Sequence, residues 1–285
     1  MRDLLLSGLA AVALLCSPPW VCAEQDGKVQ ILLLGDSTTE GSIPRLITPQ
    51  GPHLEEVIRS LLAEEKDLPP TNVINLGLSG EYIQRLLESG RYDKVAAKLP
   101  GIDYVLIRYG LNDNARREQF VENFPKDYHD LLERLRRDHP KAELIVTTVI
   151  PYGDEATSAR INKLNADVAA AEKVPLFDIY PRYAEELKQG PNMLNYRRFP
   201  LEKIPENRRE FVKPFIQSGS VVVLDNRLDA HLGHLPGWYG DRHPNLAGYH
   251  VIGDETAKYL APRIRARFAA AAKPPASGAA SQETK

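Results

Sequence analysis

The residues best placed to do chemistry lie in segment 31–41, whose sequence is ILLLGDSTTEG. The apolar run 31–34 is typical of a strand that is buried on both faces of a sheet. Gly35 allows a sharp turn because it lacks a Cβ, so Ser37 is expected just past the carboxyl end of a central strand, where open α/β sheets bind ligands. Ser37 becomes a nucleophile if a base lies within hydrogen-bond reach. Otherwise Asp36 and Ser37 only cap the next turn.

Two further stretches offer hydrogen-bond donors at the same predicted edge of the sheet. Gly80, in NLGLSG at 75–80, is predicted to open a helix, where free backbone N–H groups can bind an anion. Asn112, in YGLND at 109–113, carries uncharged side-chain N–H groups that suit an oxyanion hole. A tight turn at Gly80 and an Asx turn at Asn112 are the structural alternatives.

A histidine with a neighbouring carboxylate supplies the candidate base. His243 lies in GDRHPN at 240–245, just ahead of a helical pattern over 246–268 for which Asn245 is a suitable N-cap. The chain has seven histidines. Only His243 combines a nearby carboxylate, that of Asp241, with a place at the predicted active edge. It is therefore the candidate general base.

Alternation of strand-like and helical patterns predicts how these stretches come together. Strand-like runs occupy 29–34, 72–76, 104–108, 144–150 and 174–179, and helical patterns occupy 53–65, 82–99, 120–137 and 159–171. Such alternation predicts parallel strands joined by right-handed crossovers. The segment 188–239 interrupts the rhythm with many Pro, Arg, Asn and Gly residues, apart from the apolar run 221–224. We interpret it as an insertion or lid near the site, or else as a solvated cover for a sheet edge.

The four stretches together resemble the SGNH hydrolases, also called the GDSL esterase and lipase superfamily. Its four blocks occur here in order as GDST, LSGE, GLND and DRHPN. The resemblance implies a three-layer α/β/α flavodoxin-like sandwich with a central parallel five-stranded sheet. It also implies Ser37 as nucleophile and His243 as base, with an oxyanion hole formed by the backbone N–H groups of Ser37 and Gly80 and the side chain of Asn112.

The position of the catalytic acid departs from the family pattern. The family usually places its acid three residues before the histidine, and Gly240 occupies that position here. Asp241 stands two before, and residues two apart in an extended segment project to the same side. Asp241 is therefore the preferred acid. A backbone carbonyl or Asp229 could orient the imidazole instead, or the acid could be missing.

Composition and the chain ends define the remaining expectations. The 285 residues are 43% hydrophobic and 26% charged, as in ordinary globular enzymes, and a net charge of −2 gives no reason to expect nucleic acid as a partner. Residues 1–23, which contain both cysteines, are typical of a secretory signal peptide. We therefore expect a secreted or periplasmic protein with no stable membrane insertion after cleavage. Residues 24–268 form the predicted hydrolase domain, and 269–285 a disordered tail. The sequence shows no metal-ligand motif or nucleotide loop, so we expect catalysis without a cofactor.

Export and the polar insertion point to a carbohydrate O-acetylesterase acting on a small-molecule or glycan ester. Trp238 and Tyr239 are the candidate substrate-binding residues, and Tyr196, Arg197 and Arg198 are further aromatic and cationic groups able to contact sugars. The alternatives are a lipase or lysophospholipase, a non-catalytic carbohydrate-binding protein with a relict site, and acyl transfer by the same residues. The sequence carries no indication of oligomeric state.

Overall fold

A computed structural model describes residues 27–190 and 193–271 of the chain. The predicted signal peptide and the predicted tail beyond residue 271 lie outside the described residues. None of the helices in the described ranges is both long enough and apolar enough to cross a membrane.

The centre of the fold is a five-stranded parallel sheet. Its strands are β1 (Val29–Gly35), β2 (Thr71–Asn75), β3 (Tyr104–Arg108), β4 (Glu143–Thr147) and β5 (Leu176–Phe177), in the spatial order β2-β1-β3-β4-β5. All four neighbouring pairs are parallel, and Gly35 at the end of β1 lies opposite Arg108 at the end of β3. This is the flavodoxin-like order, whose ligand site is expected beside β1 and β3. The predicted fold class is confirmed.

Helices cover both faces of this sheet. In chain order they are α1 (Ser37–Glu40), α2 (Ser42–Ile47), α3 (Leu54–Glu64), α4 (Ile83–Glu88), α5 (Arg91–Lys94), α6 (Leu111–Arg116), α7 (Phe120–Asp138), α8 (Glu155–Glu172), α9 (Tyr180–Gln189), α10 (Arg209–Val212), α11 (Asp229–Leu232) and α12 (Leu246–Ala271). Helices α4, α5, α7 and α8 pack on one face, and α3, α9 and α12 pack on the other.

Strand β1 is buried on both sides because its side chains alternate between the two cores. Leu32 and Leu34 join the core under α7, whereas Ile31 and Leu33 join the core under α3 and α12. All four side chains are buried. A continuous apolar run is what such a two-sided strand requires, and this arrangement fixes the end of β1 rigidly beneath Ser37.

Three local details differ from the sequence predictions. The pattern over 82–99 forms α4, α5 and a short 3₁₀ helix, Ala96–Lys98, rather than one helix. Gly90 breaks it, since its φ of 72° lies in the left-handed region that ends α-helices. Strand β5 is only two residues long, and α12 continues to Ala271, past the predicted start of the tail at residue 269.

The predicted insertion contains a small sheet of its own. Strands β6 (Arg197–Pro200), β7 (Ile216–Gln217) and β8 (Ser220–Val223) pair antiparallel in the order β6-β8-β7. Their apolar side chains share a separate core with residues from the short helices and with Trp238. Only the run 221–224 signalled this sheet in the sequence, because its other strands are short and polar.

Candidate active site

Ser37 is presented at the carboxyl end of β1 as the first residue of α1. Gly35 is required there by close packing, because a Cβ would lie 2.9 Å from the Cβ of Thr39 and 3.0 Å from the carbonyl oxygen of Arg108. The Asp36 side chain caps α1 by accepting the Thr38 backbone N–H at 2.8 Å. Capping thus falls to Asp36, which leaves the Ser37 hydroxyl available to another partner.

That partner is His243. The distance from Ser37 Oγ to His243 Nε2 is 2.8 Å, and His243 Nδ1 lies 2.6 Å from Asp241 Oδ1. Asp241 Oδ1 also accepts the backbone N–H of His243 at 3.0 Å. Asp241 reaches the imidazole from two residues before it, as expected for an extended segment. The three side chains therefore form a continuous Ser–His–Asp relay.

Asp241 is held in its ionised form by its neighbours. Its side chain is 6% exposed, and its second oxygen, Oδ2, pairs with Arg198 Nε at 2.8 Å. Burial opposes ionisation, but hydrogen bonding and charge from His243, together with Arg198, hold the pKa of the Asp241 carboxyl below its usual value. A negative charge therefore faces Nδ1, where an imidazolium needs stabilisation.

Two tyrosines fix the plane of the imidazole. The Tyr196 ring stacks on the ring of His243, with 5.6 Å between centroids and 12° between planes. The Tyr152 ring meets it edge-on at 5.2 Å, and its hydroxyl lies 3.3 Å from Nδ1. Burial and the nearby Asp241 and Asp36 charges raise the pKa of Tyr152 to about 12, so its phenol stays protonated.

The loop that carries His243 is hydrogen-bonded to residues that flank the inserted sheet. Tyr196 donates its backbone N–H to His243 O at 3.2 Å, and Asn245 donates its own to Leu194 O at 2.9 Å. Asn245 is buried, and its Nδ2 donates to the carbonyls of Met193 and Leu224 at 2.7 and 2.8 Å. Its Oδ1 accepts the Gly248 backbone N–H, as expected for an N-cap of α12. The insertion thus holds His243 in place.

The three predicted oxyanion donors come together at the same cleft, lined by Ser37, Gly80 and Asn112. Gly80 lies in a turn with φ of 74°, three residues before α4 begins, so the prediction that it opens a helix is wrong. A left-handed φ favours glycine at this turn. The side chain of Asn112 donates one N–H to Glu81 O at 3.1 Å, which leaves its second amide hydrogen for a ligand.

Two buried carboxylates support these donors. Glu81 is 1% exposed and accepts from Arg91 Nη1 at 2.8 Å and from the Tyr109 hydroxyl at 2.7 Å. The side chain of Asp113 accepts the backbone N–H groups of Ile83 and Gly110, at 2.9 and 3.0 Å. Burial raises the pKa of Glu81, and it raises that of Asp113 to about 7. Both groups therefore hold the loops that carry Gly80 and Asn112.

The cleft above the relay has a volume of about 440 Å³. Its walls mix apolar groups such as Ile43 and Leu111 with polar ones, among them Tyr152, Arg116 and Arg198. Tyr196 also lines it, but that side chain is only 4% exposed, because its ring is packed on His243. The space suits a small acyl group and the polar alcohol attached to it.

The prediction that Trp238 contacts substrate is wrong. Its side chain is fully buried in the core of the inserted sheet, where its indole N–H donates to Asp229 Oδ1 at 2.8 Å. Tyr239 does not line the cleft either and instead packs against the guanidinium of Arg197 at 5.1 Å. Buried Arg197 pairs with Asp229 at 2.6 Å. Asp229 is thereby committed to Arg197 and Trp238, which removes it as an alternative acid.

Three residues of the site escaped the sequence analysis: Tyr152, Arg116 and Glu81. Tyr152 follows the fourth strand-like run, so its place at a strand end was a usable signal. Glu81 is part of the quoted LSGE block, yet only the structure shows that its carboxylate anchors the loop. Arg116 had no signal, because its place at the cleft depends on how α6 packs beside Gly80.

Within residues 27–190 and 193–271, no group of three or more His, Cys, Asp or Glu side chains is arranged to hold a metal ion. The nucleophile candidate, the base candidate and the oxyanion donors are all supplied by ordinary side-chain and backbone groups.

A parallel 2-1-3-4-5 sheet that carries these four blocks at its carboxyl edge defines an SGNH hydrolase. Residues 33–251 match the model of the GDSL-like lipase/acylhydrolase family, and the chain belongs to that family. The resemblance inferred from the four blocks is therefore confirmed.

Solved structures of low sequence identity share the fold. A protein described as a GDSL-like lipase from Parabacteroides merdae is 15% identical with a TM-score of 0.52, covering 82% of this chain and 97% of that one. The acetylxylan esterase of Geobacillus stearothermophilus is 17% identical with a TM-score of 0.51, covering 84% of this chain and 95% of that one. No curated protein sequence matches this chain.

Proposed function

We propose that this GDSL-family hydrolase is a serine ester hydrolase that removes short acyl groups, acetyl above all, from carbohydrate. The observation that carries the proposal is the relay itself, with 2.8 Å from Ser37 Oγ to His243 Nε2 and 2.6 Å from His243 Nδ1 to Asp241 Oδ1. The relay opens into a cleft that also contains Gly80 and Asn112. A non-catalytic carbohydrate-binding protein has no need for this alignment.

The first half of the reaction follows from the geometry. Ser37 Oγ attacks the ester carbonyl carbon while His243 Nε2 takes the hydroxyl proton, and ionised Asp241 stabilises the imidazolium. The carbonyl oxygen becomes an oxyanion that accepts hydrogen bonds from the Ser37 and Gly80 backbone N–H groups and the Asn112 amide. The bond to the alcohol oxygen then breaks, and His243 returns its proton to that oxygen. An acyl group remains on Ser37.

Water completes the cycle. His243 takes a proton from a water molecule, whose oxygen attacks the acyl carbon and forms a second oxyanion at the same donors. The bond to Ser37 Oγ breaks, the acid is released and Ser37 recovers its proton from His243. If a sugar hydroxyl replaces water in this step, the same residues perform acyl transfer.

The cleft supports the preference for short acyl groups. Arg116, Arg198, Tyr152 and the hydroxyl of Ser42 place polar groups among its apolar wall residues, and this mixture favours a small acyl group on a polar alcohol over a long alkyl chain. The acetylxylan esterase fold neighbour is compatible with this reading, and polar walls suit a hydroxyl-rich alcohol. Export of the protein, which rests on the predicted signal peptide at 1–23, would bring it to extracellular or periplasmic glycans.

The test is a series of p-nitrophenyl esters from acetate to decanoate with wild type and Ser37→Ala. Each methylene buried in an apolar channel is worth about 0.8 kcal/mol. A lipase would therefore show kcat/KM rising along the series, whereas we expect a maximum at acetate and no turnover by Ser37→Ala. Rising specificity toward decanoate would replace the acetylesterase proposal by a lipase.

A covalent probe provides the control for the nucleophile. An alkyl phosphonate should label wild type at Ser37 and leave Ser37→Ala unlabelled. Ser42→Ala is the matched control, because Ser42 also lines the cleft but pairs with the Ser79 hydroxyl at 3.1 Å rather than with an imidazole. Labelling of Ser42 in wild type would contradict the assignment of Ser37.

A further inference from the structure

The cleft walls have an uneven charge. Two guanidinium groups, those of Arg116 and Arg198, line the cleft, and no Asp or Glu belongs to the described residues that line it. Arg198 stands on the side of the cleft that carries Asp241 and His243, and Arg116 stands on the side that carries Gly80. A reacting ester would therefore lie between two cationic groups.

Arg116 keeps most of its hydrogen-bonding capacity free. It is an exposed residue at the end of α6, and its Nη1 donates to Gly80 O at 2.8 Å. A guanidinium has five N–H donors in a planar fork suited to carboxylate. Among the described residues, no carboxylate forms an ion pair with Arg116. The group therefore presents an uncompensated charge next to the predicted oxyanion donor.

Nearby carboxylates are committed to other partners. Glu40 accepts from the backbone N–H of Ser79 at 2.7 Å and from its hydroxyl, and Glu81 is paired with Arg91 at 2.8 Å. Neither belongs to the residues that line the cleft. Arg116 therefore has no carboxylate partner among the described residues that line the cleft.

Arg198 adds a second, weaker contribution. Its Nε forms an ion pair with Asp241, and its side chain is 46% exposed. Because Asp241 compensates its charge, Arg198 offers hydrogen-bond donors more than net positive potential.

We propose that the cleft selects esters that carry a negatively charged group, such as the carboxylate of an acidic sugar, and that Arg116 is the residue that selects them. This inference rests on the proposed ester hydrolysis at Ser37. The shared chemistry is a carboxylate close to the ester bond, on either the alcohol or the acyl side. Bidentate binding of that carboxylate by the free edge of Arg116 would place the ester between Ser37 and the donors of Gly80 and Asn112.

Matched pairs of esters separate charge from size. On the alcohol side, para-acetoxybenzoate is compared with its neutral methyl ester, and on the acyl side p-nitrophenyl hydrogen adipate is compared with p-nitrophenyl methyl adipate. We expect wild type to favour the anionic member of at least one pair by about tenfold in kcat/KM, the range of a charge-assisted hydrogen bond. The pair that shows the preference identifies the side that carries the charge. A ratio of one or below in both pairs would overturn the proposal.

Three variants locate the preference. Arg116→Gln should abolish the charge ratio, and Arg116→Lys should restore part of it, since lysine retains the charge without the planar fork. Arg85→Gln is the matched control, because Arg85 also contacts Gly80 O, at 3.4 Å, but does not line the cleft. An equal loss of the ratio in Arg85→Gln and Arg116→Gln would overturn the assignment to Arg116 in favour of long-range attraction, which added salt would also suppress.

Binding to an inactive variant keeps this inference separate from the proposed function. Ser37→Ala is titrated calorimetrically with a trigalacturonate and with a neutral xylotriose. Tighter binding of the acidic trisaccharide, lost in the double variant with Arg116→Gln, supports charge selection even if no ester is hydrolysed. Failure of wild type to hydrolyse any ester contradicts the proposed function alone, whereas equal affinity for the two sugars together with equal ester ratios contradicts charge selection alone.

Discussion

Arg198 Nε lies 2.8 Å from Oδ2 of Asp241, the oxygen that His243 leaves free. Arg198 belongs to β6 of the inserted sheet, whereas Asp241 lies in the loop before α12. One carboxylate therefore connects the imidazole of the relay to the insertion. The predicted insertion thus contributes directly to the electrostatics of the site.

Arg198→Gln should reduce kcat/KM for p-nitrophenyl acetate by about tenfold, because the positive charge of the ion pair with Asp241 is lost. Arg198 also helps to hold the pKa of Asp241 low. Removal of Arg198 raises that pKa, so the loss of activity on acidification should begin at a higher pH than in wild type. Arg198→Lys, which retains the charge, should shift the pH of this loss less than Arg198→Gln does. An unchanged pH profile in Arg198→Gln would limit Arg198 to a packing role.

Asp241→Asn should lower kcat by several orders of magnitude. An amide can orient the imidazole but cannot stabilise imidazolium, and a serine-protease triad, a different system, loses about ten-thousand-fold from this change. His243→Ala is the reference for complete loss of the base. Activity in Asp241→Asn within about tenfold of wild type, beside an inactive His243→Ala, would remove Asp241 from the catalytic set.

Trp238→Ala should destabilise the protein rather than weaken substrate binding. The indole fills the core of the inserted sheet, and removal of such a side chain costs about 3 to 5 kcal/mol in the free energy of unfolding. Urea denaturation measures this loss. Phe211→Ala is the control, because Phe211 is a large side chain of the same insertion that is 44% exposed, so its loss should cost much less. Weaker glycan binding at unchanged stability would show that Trp238 contacts substrate after all.

Asp113 should make stability depend on pH in a definite direction. Its pKa is about 7 in the folded protein against a usual 3.8, so the folded state holds a proton that the unfolded chain releases. The stability associated with that proton is complete below pH 4 and is lost as the pH rises to about 7. Asp113→Asn removes this dependence.

The stability of wild type relative to Asp113→Asn should therefore fall by about 2 to 4 kcal/mol between pH 4 and pH 8. Urea unfolding of both proteins across this range measures the difference, in which the titration of all other groups cancels. A difference that does not vary with pH would show that Asp113 is ionised in the folded protein throughout.

Local patterns predicted the central sheet because β1, β3 and β4 are largely apolar runs of strand length, and strand-like runs alternate with helical patterns along the chain. The sequence also indicated Ser37 and His243, since Ser37 follows the first strand and His243 precedes the last helix. Gly90, by contrast, divides the pattern over 82–99 through its left-handed φ, a conformation that glycine permits but does not require. The sequence alone cannot decide whether a glycine will use that freedom.

Substrate contacts were harder to predict than the relay. Trp238 and Tyr196 have the same aromatic character in the sequence, yet one fills an isolated core and the other packs on His243. Which side chain reaches a cleft depends on long-range packing of the insertion, and the only apolar run that signalled that sheet was 221–224. The contact between Asp241 and His243 could be anticipated because the two residues are only two positions apart in an extended segment.

The buried amide of Asn245, which joins Met193, Leu224 and the start of α12, has a consequence for how the protein loses activity on heating. The small sheet can open only by breaking these bonds, and His243 would then lose the backbone contact that fixes its loop. Partial unfolding of the insertion would thus displace His243 from Ser37. Thermal inactivation should begin when this subdomain melts, while the larger parallel sheet is still intact.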